Sequence, residues 1–464
     1  MTKSILWLRQ DLRLFDHPAL VAAVAEGDVL PVFILDDEAP GDRRVGGAQR
    51  WWLHHSLERL NADFAKRGVD LVLRRGEAAT VLQSLCAETG IRRIHAIRHY
   101  EPWFQRSEAD VADFAELLLH DGNHLAPPSS ILTGSGGRYR VFTPWWRALL
   151  GRMPPPKPLP APEQITGIDG VASDTLSDWD LLPTKPNWAT GFDVWTPGEA
   201  GAKQALRDFL PLLAGYDDTR NLPSMIGTSR LSPHIHWGEI SPATIWHIAS
   251  RECGAKAEPF LRELGWRDYA TNLLDQMPDY HRTNGKQPYD LFPWREGEEA
   301  DADFIAWTKG KTGYPIVDAG MRELWATGWM HNRVRMIAAS FLIKHLLIDW
   351  RRGEQWFWET LVDADGGANA ANWQWVAGTG VDAPLFSRIM APLSQSEKFD
   401  AAAYIRKWVP ELGDVSEPYI HDPEEFGVKP KDYPPKLIGH RAARERALAA
   451  MQITRELRLH LSDD

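Results

Sequence analysis

The spacing of apolar residues changes character once along this 464-residue chain, and that change restricts the fold to two kinds of layer. Over about the first 125 residues, short apolar runs at 5–9, 30–35, 70–74 and 94–98 read as buried strands. Between them, 49–66, 78–88 and 107–119 carry helical patterns. Strands alternating with helices imply a parallel sheet covered on both faces. From about 199 onward, apolar spacing or good helix formers mark helices at 199–213, 242–251, 260–276, 314–327, 331–347 and 354–361. The expected fold class is an α/β doubly wound domain over 1–125, a linker over 126–198 and an all-α domain over 199–464. The linker rests on stretches such as Met153-Pro154-Pro155-Pro156-Lys157-Pro158, which are semi-rigid and mostly irregular.

Several function classes are excluded early. The N-terminus is charged too soon for a signal peptide, and no apolar run approaches the roughly 18 residues of a membrane span. A cytoplasmic protein is expected. Cys86 and Cys253 are too few for a disulfide scaffold or an all-cysteine iron–sulfur cluster. Net charge of −11 argues against a general nucleic-acid coat, though a local basic groove acts within about 8 Å in physiological salt. Neither a G-x-G-x-x-G after the first strand nor a Walker loop is present, and Gly134-Ser135-Gly136-Gly137 reads as a turn. Asp363 and Asp365 lack the other oxygen ligands of a calcium loop. His54-His55 and His234/His236 show no zinc spacing with acidic or cysteine partners, so no metal is expected.

Twenty-two tryptophans need more explanation than core filling, and nine of them lie between 294 and 375. There the indoles alternate with Asn, Asp and Arg, as a buried polar site walled by aromatic planes would require. On a helix through 329–336, Trp329, Asn332 and Met336 share one face at i, i+3 and i+7. A core helix accounts for this pattern, but an amide between large apolar groups needs a partner, which a heteroaromatic ligand would supply. Glu263 and Trp266 share a face of the 260–276 helix. They suit recognition of a base edge and a base face, while Glu263 and Arg267 at i, i+4 equally suit a salt bridge. A Glu desolvated by Trp would hold its proton and donate a hydrogen bond. The hydroxyls and backbone donors of 226–232 suit either a phosphate cradle or a capping turn.

Taken together, the motifs resemble the DNA photolyase/cryptochrome family along essentially the whole chain, most closely its bacterial class I cyclobutane pyrimidine dimer photolyases. They include Leu6-Trp7-Leu8-Arg9-Gln10-Asp11-Leu12-Arg13, Tyr139-Arg140-Val141-Phe142-Thr143-Pro144-Trp145, Thr312-Gly313-Tyr314-Pro315-Ile316-Val317-Asp318, the 328–336 block and the 363–375 block. The resemblance implies FAD in the helical domain. Tyr216, Thr228, Ser229, Arg230, Leu231 and Ser232 would hold its pyrophosphate end, with Arg267 and Trp329 near the cofactor. Asp363 would pair with Arg335 beside the flavin, Asp365 would approach the ring edge, and Asn369 would face N5. Plant cryptochromes commonly have Asp at that last position and animal ones Cys.

The same resemblance implies a pocket for a flipped-out pyrimidine dimer. Glu263 and Asn332 would bond it, Trp266 and Trp375 would pack its rings, Met336 would close the pocket, and Arg333 would bind a flanking phosphate. Trp373, Trp350 and Trp294 would carry electrons between flavin and surface. An antenna chromophore is implied for the N-terminal domain. Methenyltetrahydrofolate and a deazaflavin both remain open, and Trp51, Trp52 and Trp103 could crowd the site. The implied activity is light-driven repair of ultraviolet-damaged DNA by electron transfer from reduced FAD, by a monomer without an obligate protein partner. The alternatives are a cryptochrome-type blue-light photoreceptor and a non-photochemical flavoprotein. The chain ends soon after Tyr433-Pro434-Pro435, which leaves little for a signalling extension.

Overall fold

The structure, a computed structural model, describes residues 2–462. Backbone contacts divide the chain into two compact units. One runs to Ala214 and adds Ser229–Pro278 and Val362–Gly367; the other holds Gly215–Thr228, Asp279–Leu361 and the residues from Ala368 on. Residues 199–214 and 229–278, which the sequence places in the helical domain, thus cluster with the first unit.

In the first unit, strands β1 (Thr2–Leu8), β2 (Gly27–Leu35), β3 (Val72–Arg75), β4 (Arg93–Ile97) and β5 (Glu116–His120) form a parallel sheet of order β3-β2-β1-β4-β5. Helices α1 (Pro18–Glu26), α2 (Gly47–Ala65), α3 (Ala78–Thr89) and α4 (Pro102–Ala112) connect the strands. One core cluster joins Ile5, Trp7, Val32 and Ile94 of the sheet to Leu82 and Leu85 of α3 and Val111 of α4. The 107–119 helix expected from sequence is corrected here. α4 stops at Ala112, and the rest of that stretch feeds β5, where Leu117 pairs with Ile94 and Leu119 with Ala96. Leucine's helix preference is worth only tenths of a kcal/mol and yields to strand pairing and partial burial at a sheet edge.

The strand ends are closed by a buried ionic clasp. The Arg13 guanidinium, almost fully buried, donates to the carbonyls of Asp16, Gly122 and Gly238 and to Asn123 Oδ1. Asp11 bonds His17 at 2.9 Å. Burial alone would raise the Asp11 carboxyl, but the His17 hydrogen bond and charge outweigh it and hold it down at about 2. The Leu12–Leu14 motif is therefore structural, and all of its guanidinium donors are satisfied.

Farther along follow α5 (Phe142–Leu150), which lies inside the stretch expected to be an irregular linker, and α6 (Glu199–Phe209). The second unit contributes α7 (Tyr216–Thr219); the first resumes with α8 (Ser232–His236), α9 (Pro242–Cys253) and α10 (Glu258–Gln276). The second unit then continues with α11 (Glu298–Thr308), α12 (Pro315–Thr327), α13 (Asn332–Ser340) and α14 (Trp350–Thr360). Helices α15 (Gly366–Ala377), α16 (Pro392–Lys398), α17 (Ala402–Trp408) and α18 (His440–Ser462) complete the chain order.

Two local features shape the region around 329–347. Gly328, at φ 68°, closes α12 in the left-handed conformation glycine tolerates, and the His331 imidazole caps α13 by accepting from Arg333 N. Trp329 therefore lies before the helix, and the shared helical face expected for Trp329, Asn332 and Met336 reduces to Asn332 and Met336. The expected helix to 347 also changes form. After Ser340 it widens into a π turn over Phe341–His345, where Leu346 N bonds Phe341 O, and Leu347 takes φ 53°. Such turns are rare and recur at functional sites.

Candidate functional site

In the first unit, α10 sets out Glu263, Trp266 and Arg267 at half-buried positions. One face of Trp266 lies flat on Phe142, with ring centroids 3.5 Å apart and planes 7° from parallel. The indole as a whole is half-buried, so it offers an aromatic platform one helical turn from Glu263. Gly265 makes this possible, because a Cβ there would run into the Trp146 ring. Arg267 donates to Asn123 O (2.7 Å) and Asp268 (3.3 Å), while its Nε is buried without a hydrogen-bond partner. Burial is the main force raising the Asp268 carboxyl, to about 7, against the pull of Arg267.

Asp365 caps α15 by accepting from Gly367 N at 3.0 Å. Gly367 approaches α10 so closely that a Cβ would stand 2.9 Å from the Ala270 carbonyl carbon. The weak apolar spacing of Gly-Gly-Ala-Asn-Ala-Ala-Asn hides this helix in the sequence. His236 Nδ1 stands 4.0 Å from Asp365, and burial together with the Asp365 charge raises the Glu101 carboxyl. Asp363 is buried. In the 228–232 segment, Arg230 adopts φ 51°, Leu231 N bonds Ser229 Oγ, and Ser232 is exposed at the start of α8.

The second unit carries the other expected residues. Tyr216 is buried on α7, and Thr228 is half-buried. Asn332 is exposed in the first turn of α13, with Met336 half-buried one turn later. Arg333 donates to Asn221 Oδ1 at 2.7 Å and to Met336 Sδ at 3.7 Å, and lies over Phe399. Burial, then the charges of Arg220 and Arg388, push its ionisation down, so three guanidiniums concentrate positive charge here on an acidic chain. Arg335 donates to Met330 O at 2.7 Å and faces the buried Trp329. Asn369 donates through Nδ2 to Glu354 O (3.0 Å) and Glu354 Oε1 (2.8 Å), which leaves its carbonyl oxygen without a protein partner among the described residues.

Trp373 and Trp375 point to nearly opposite sides of α15, as a two-residue helical offset requires. Trp375 is half-buried, with the Arg388 guanidinium 5.9 Å from its ring. Trp373 is buried edge-on to Phe357 (4.9 Å) and Trp307 (6.3 Å). Between them, Gln374 is fully buried and bonds the carbonyls of Tyr280 and Thr283, which fixes the rotation of the helix. Trp373 rests on Gly353 of α14, one turn after Trp350, and Trp350 Nε1 bonds Asn284 Oδ1 at 3.0 Å. Trp294 is half-buried against Phe292, and its neighbour Arg295 bonds Leu347 O, just before Trp350. The three tryptophans are thus held on connected elements, with the outermost partly open to solvent. A Cβ on Gly353 would overlap both Trp373 and Leu342. Gly353→Ala is expected to cost about 1–3 kcal/mol in urea unfolding and to disturb Trp373; unchanged stability would contradict this packing.

Other expectations look different in place. Trp51, Trp52 and Trp103 are buried, Trp51 against Phe192 and Trp52 against Trp195 and His234. His54 and His55 do have an acidic partner, which corrects the sequence reading. Glu58, one turn on, lies 3.8 Å from His54 Nε2 and 3.1 Å from His55 Nδ1. The 133–137 stretch is a turn closed by Thr133 N to Gly137 O. Arg220, Arg388 and Lys344 join the second unit's cationic region without having been singled out; a lone Arg or Lys in a loop or helix gives no spacing signal.

Residues 4–163 match the family described as DNA photolyase, and residues 260–453 match the FAD binding domain of DNA photolyase. The chain is 48% identical to a deoxyribodipyrimidine photo-lyase of Agrobacterium fabrum, over 96% of this chain and 97% of that one. It superposes on a bacterial class III photolyase from Agrobacterium tumefaciens with TM-score 0.93 and 46% identity, covering 98% of each chain. An archaeal photolyase from Sulfolobus tokodaii with two FAD molecules gives TM-score 0.84 and 30% identity, over 97% of this chain and all of that one. The motifs alone suggest class I, whereas the Agrobacterium tumefaciens structure is described as class III, so these likenesses fix the family without the class. With an N-terminal parallel-sheet photolyase domain and a C-terminal helical FAD-binding domain, the chain belongs to the DNA photolyase/cryptochrome family.

Proposed function

We propose that this protein is a deoxyribodipyrimidine photo-lyase that repairs cyclobutane pyrimidine dimers in DNA under light. The observation that carries the reading is the half-open Trp266 platform beside Glu263, in a chain nearly half identical to a protein of that name. A dimer already weakens its own stacking and pairing, so it leaves the duplex at low cost. Trp266 and Trp375 would pack its rings, Glu263 and Asn332 would hydrogen-bond its edge, and Met336 would cover it.

Two polar atoms test whether the residues fit FAD. Arg267 Nε is a buried donor without a partner, and Asn369 presents an unpartnered carbonyl oxygen because Glu354 occupies its Nδ2. An acceptor on a cofactor would satisfy the first, and a ring N–H would suit the second. We assign Tyr216, Thr228, Ser229, Arg230, Leu231 and Ser232 to its pyrophosphate end, and Arg267, Trp329, Arg335, Asp363, Asp365 and Asn369 to its surroundings. FAD, when bound, supplies the light-driven electron that opens the dimer and receives it back. The protein's own groups position the dimer and stabilise its added charge electrostatically. Glu263 donates to the dimer, Arg333 holds a flanking phosphate, and Trp373, Trp350 and Trp294 restore the reduced cofactor.

No helix among the described residues is long and apolar enough to cross a membrane. We take the protein to act as a cytoplasmic monomer on ultraviolet-damaged DNA. A cryptochrome-type photoreceptor is the second reading. Asn rather than Asp or Cys at 369, together with a full dimer-binding set, favours repair.

The test is to reduce the FAD-loaded protein, add ultraviolet-damaged oligothymidylate, illuminate with blue light and follow recovery of thymine absorbance. No recovery sinks the lyase reading. Glu263→Ala is expected to lower the repair yield several-fold with flavin content unchanged; an unaltered yield removes Glu263 from its role.

A further inference from the structure

Lys344 sits inside the π turn and is only 2% exposed. Its ammonium makes one hydrogen bond, 2.8 Å to the carbonyl of Arg388, and lies 5.4 Å from the Phe386 ring. Among the described residues no carboxylate pairs with it. A buried charge without a counter-ion is costly, and an apolar side chain would fill the same space better. Burial, then the Arg388 charge, push the ammonium down to about 7.

The segment it touches is 378–391, the connection between α15 and α16. A second lysine grips the same segment, for Lys286 Nζ bonds Ala383 O at 2.8 Å and Gly378 O at 3.4 Å. Val381 N bonds the Tyr280 hydroxyl at 3.1 Å, and Phe386 is fully buried. Beyond these anchors the chain turns outward: Leu385 is 70% exposed, and Ser387 and Arg388 are exposed. Arg388 thereby presents its guanidinium beside Trp375 and near Arg333. Holding one guanidinium fixed among two others opposes their mutual repulsion, so its position needs an anchor.

We propose that Lys344 is a positioning residue for damaged DNA: by gripping the Arg388 carbonyl it holds the 378–391 segment so that the Arg388 guanidinium stays beside Trp375 and meets a backbone phosphate. The inference rests on the reading of this site as a DNA-repair pocket. Lys344 itself touches neither dimer nor phosphate. Its strained surroundings, a π turn followed by Leu347 at φ 53°, fit a place where local stability yields to the demands of a site.

The experiment uses the FAD-loaded full chain and ultraviolet-damaged oligothymidylate. Dark Kd is measured as a function of salt, and repair yield is measured at saturating DNA. Lys344→Met is expected to weaken binding about tenfold and to lower the salt slope by about one, as loss of one phosphate contact does. Flavin content and the yield at saturation stay at the wild-type level. A role confined to stability would leave the salt slope in place. Arg388→Ala is expected to reproduce the binding loss, and adding Lys344→Met to it to cost nothing further, because the two act through one contact. If Lys344→Met fails to fold, Arg388→Ala alone decides, and an unchanged Kd and slope there overturn the proposal. Unaltered binding in Lys344→Met beside a loss in Arg388→Ala overturns the Lys344 assignment alone, and unaltered binding in both overturns the whole proposal. Failure of the wild type to repair strikes the lyase reading instead.

Discussion

Replacing Trp373 by Phe is expected to abolish light-driven reduction of the bound, oxidised flavin. Repair by protein reduced beforehand with dithionite should continue at the wild-type yield. The reason lies in the arrangement on α15. Trp373 is buried against Phe357 and Gly353, and Trp350 lies one turn from that glycine. Trp294 is partly open to solvent, next to the arginine that bonds Leu347. An indole gives up an electron far more readily than a phenyl ring, so Phe keeps the packing and removes the carrier. Trp375, on the opposite side of the helix, is proposed for the dimer pocket. Trp375→Phe should therefore leave photoreduction intact and weaken repair. Transient absorption after a laser flash, with steady-state repair in parallel, separates the two. Photoreduction surviving in Trp373→Phe would remove Trp373 from the path, and equal loss of both activities in both variants would dissolve the division between them.

In the sequence this proposed division shows only as an offset of two between tryptophans. What the sequence could not show is why the offset is held, since Gln374 locks the rotation through carbonyls of Tyr280 and Thr283, far off in the chain. The parallel sheet was readable because its strands are continuous apolar runs. β5 was not, because Leu117, Leu118 and Leu119 serve helix and half-buried strand equally until β4 lies alongside. α15 was missed because its first turn is glycine and alanine, and close approach to α10 rather than propensity calls for them. Candidate residues such as Glu263, Asn332 and Asn369 could be proposed from motifs in the chain alone. Lys344 could not. In Phe341-Leu342-Ile343-Lys344-His345-Leu346 a lysine reads as a solvated helix position, and a π turn has no sequence signature. Only its burial and its bond to a carbonyl 44 residues away mark it out.

Lys344→Met is also expected to stabilise the folded protein at pH 6 while it weakens DNA binding. The folded-state ionisation of Lys344 lies at about 7, below the ordinary value of 10.5, because burial and Arg388 disfavour the ammonium. Below pH 7 both folded and unfolded chains carry the charge, so the burial penalty is complete. Between 7 and 10.5 the unfolded chain binds the proton that the folded chain has released, and wild-type stability rises with pH relative to the variant. The full gap corresponds to about 5 kcal/mol at ~1.4 kcal/mol per pH unit. The bond to Arg388 O offsets about 1 kcal/mol of any gain from the variant. A net gain of about 2–4 kcal/mol at pH 6 should therefore shrink steadily toward pH 10. Urea unfolding of both proteins at saturating FAD across that range measures it. A variant less stable than wild type at pH 6, or a difference that ignores pH, would show that the ammonium is not penalised by its burial. The opposite signs for stability and for DNA affinity would then be lost. Those signs matter because a lysine kept only for packing would not weaken DNA binding when methionine improves the core, whereas one kept to hold Arg388 must.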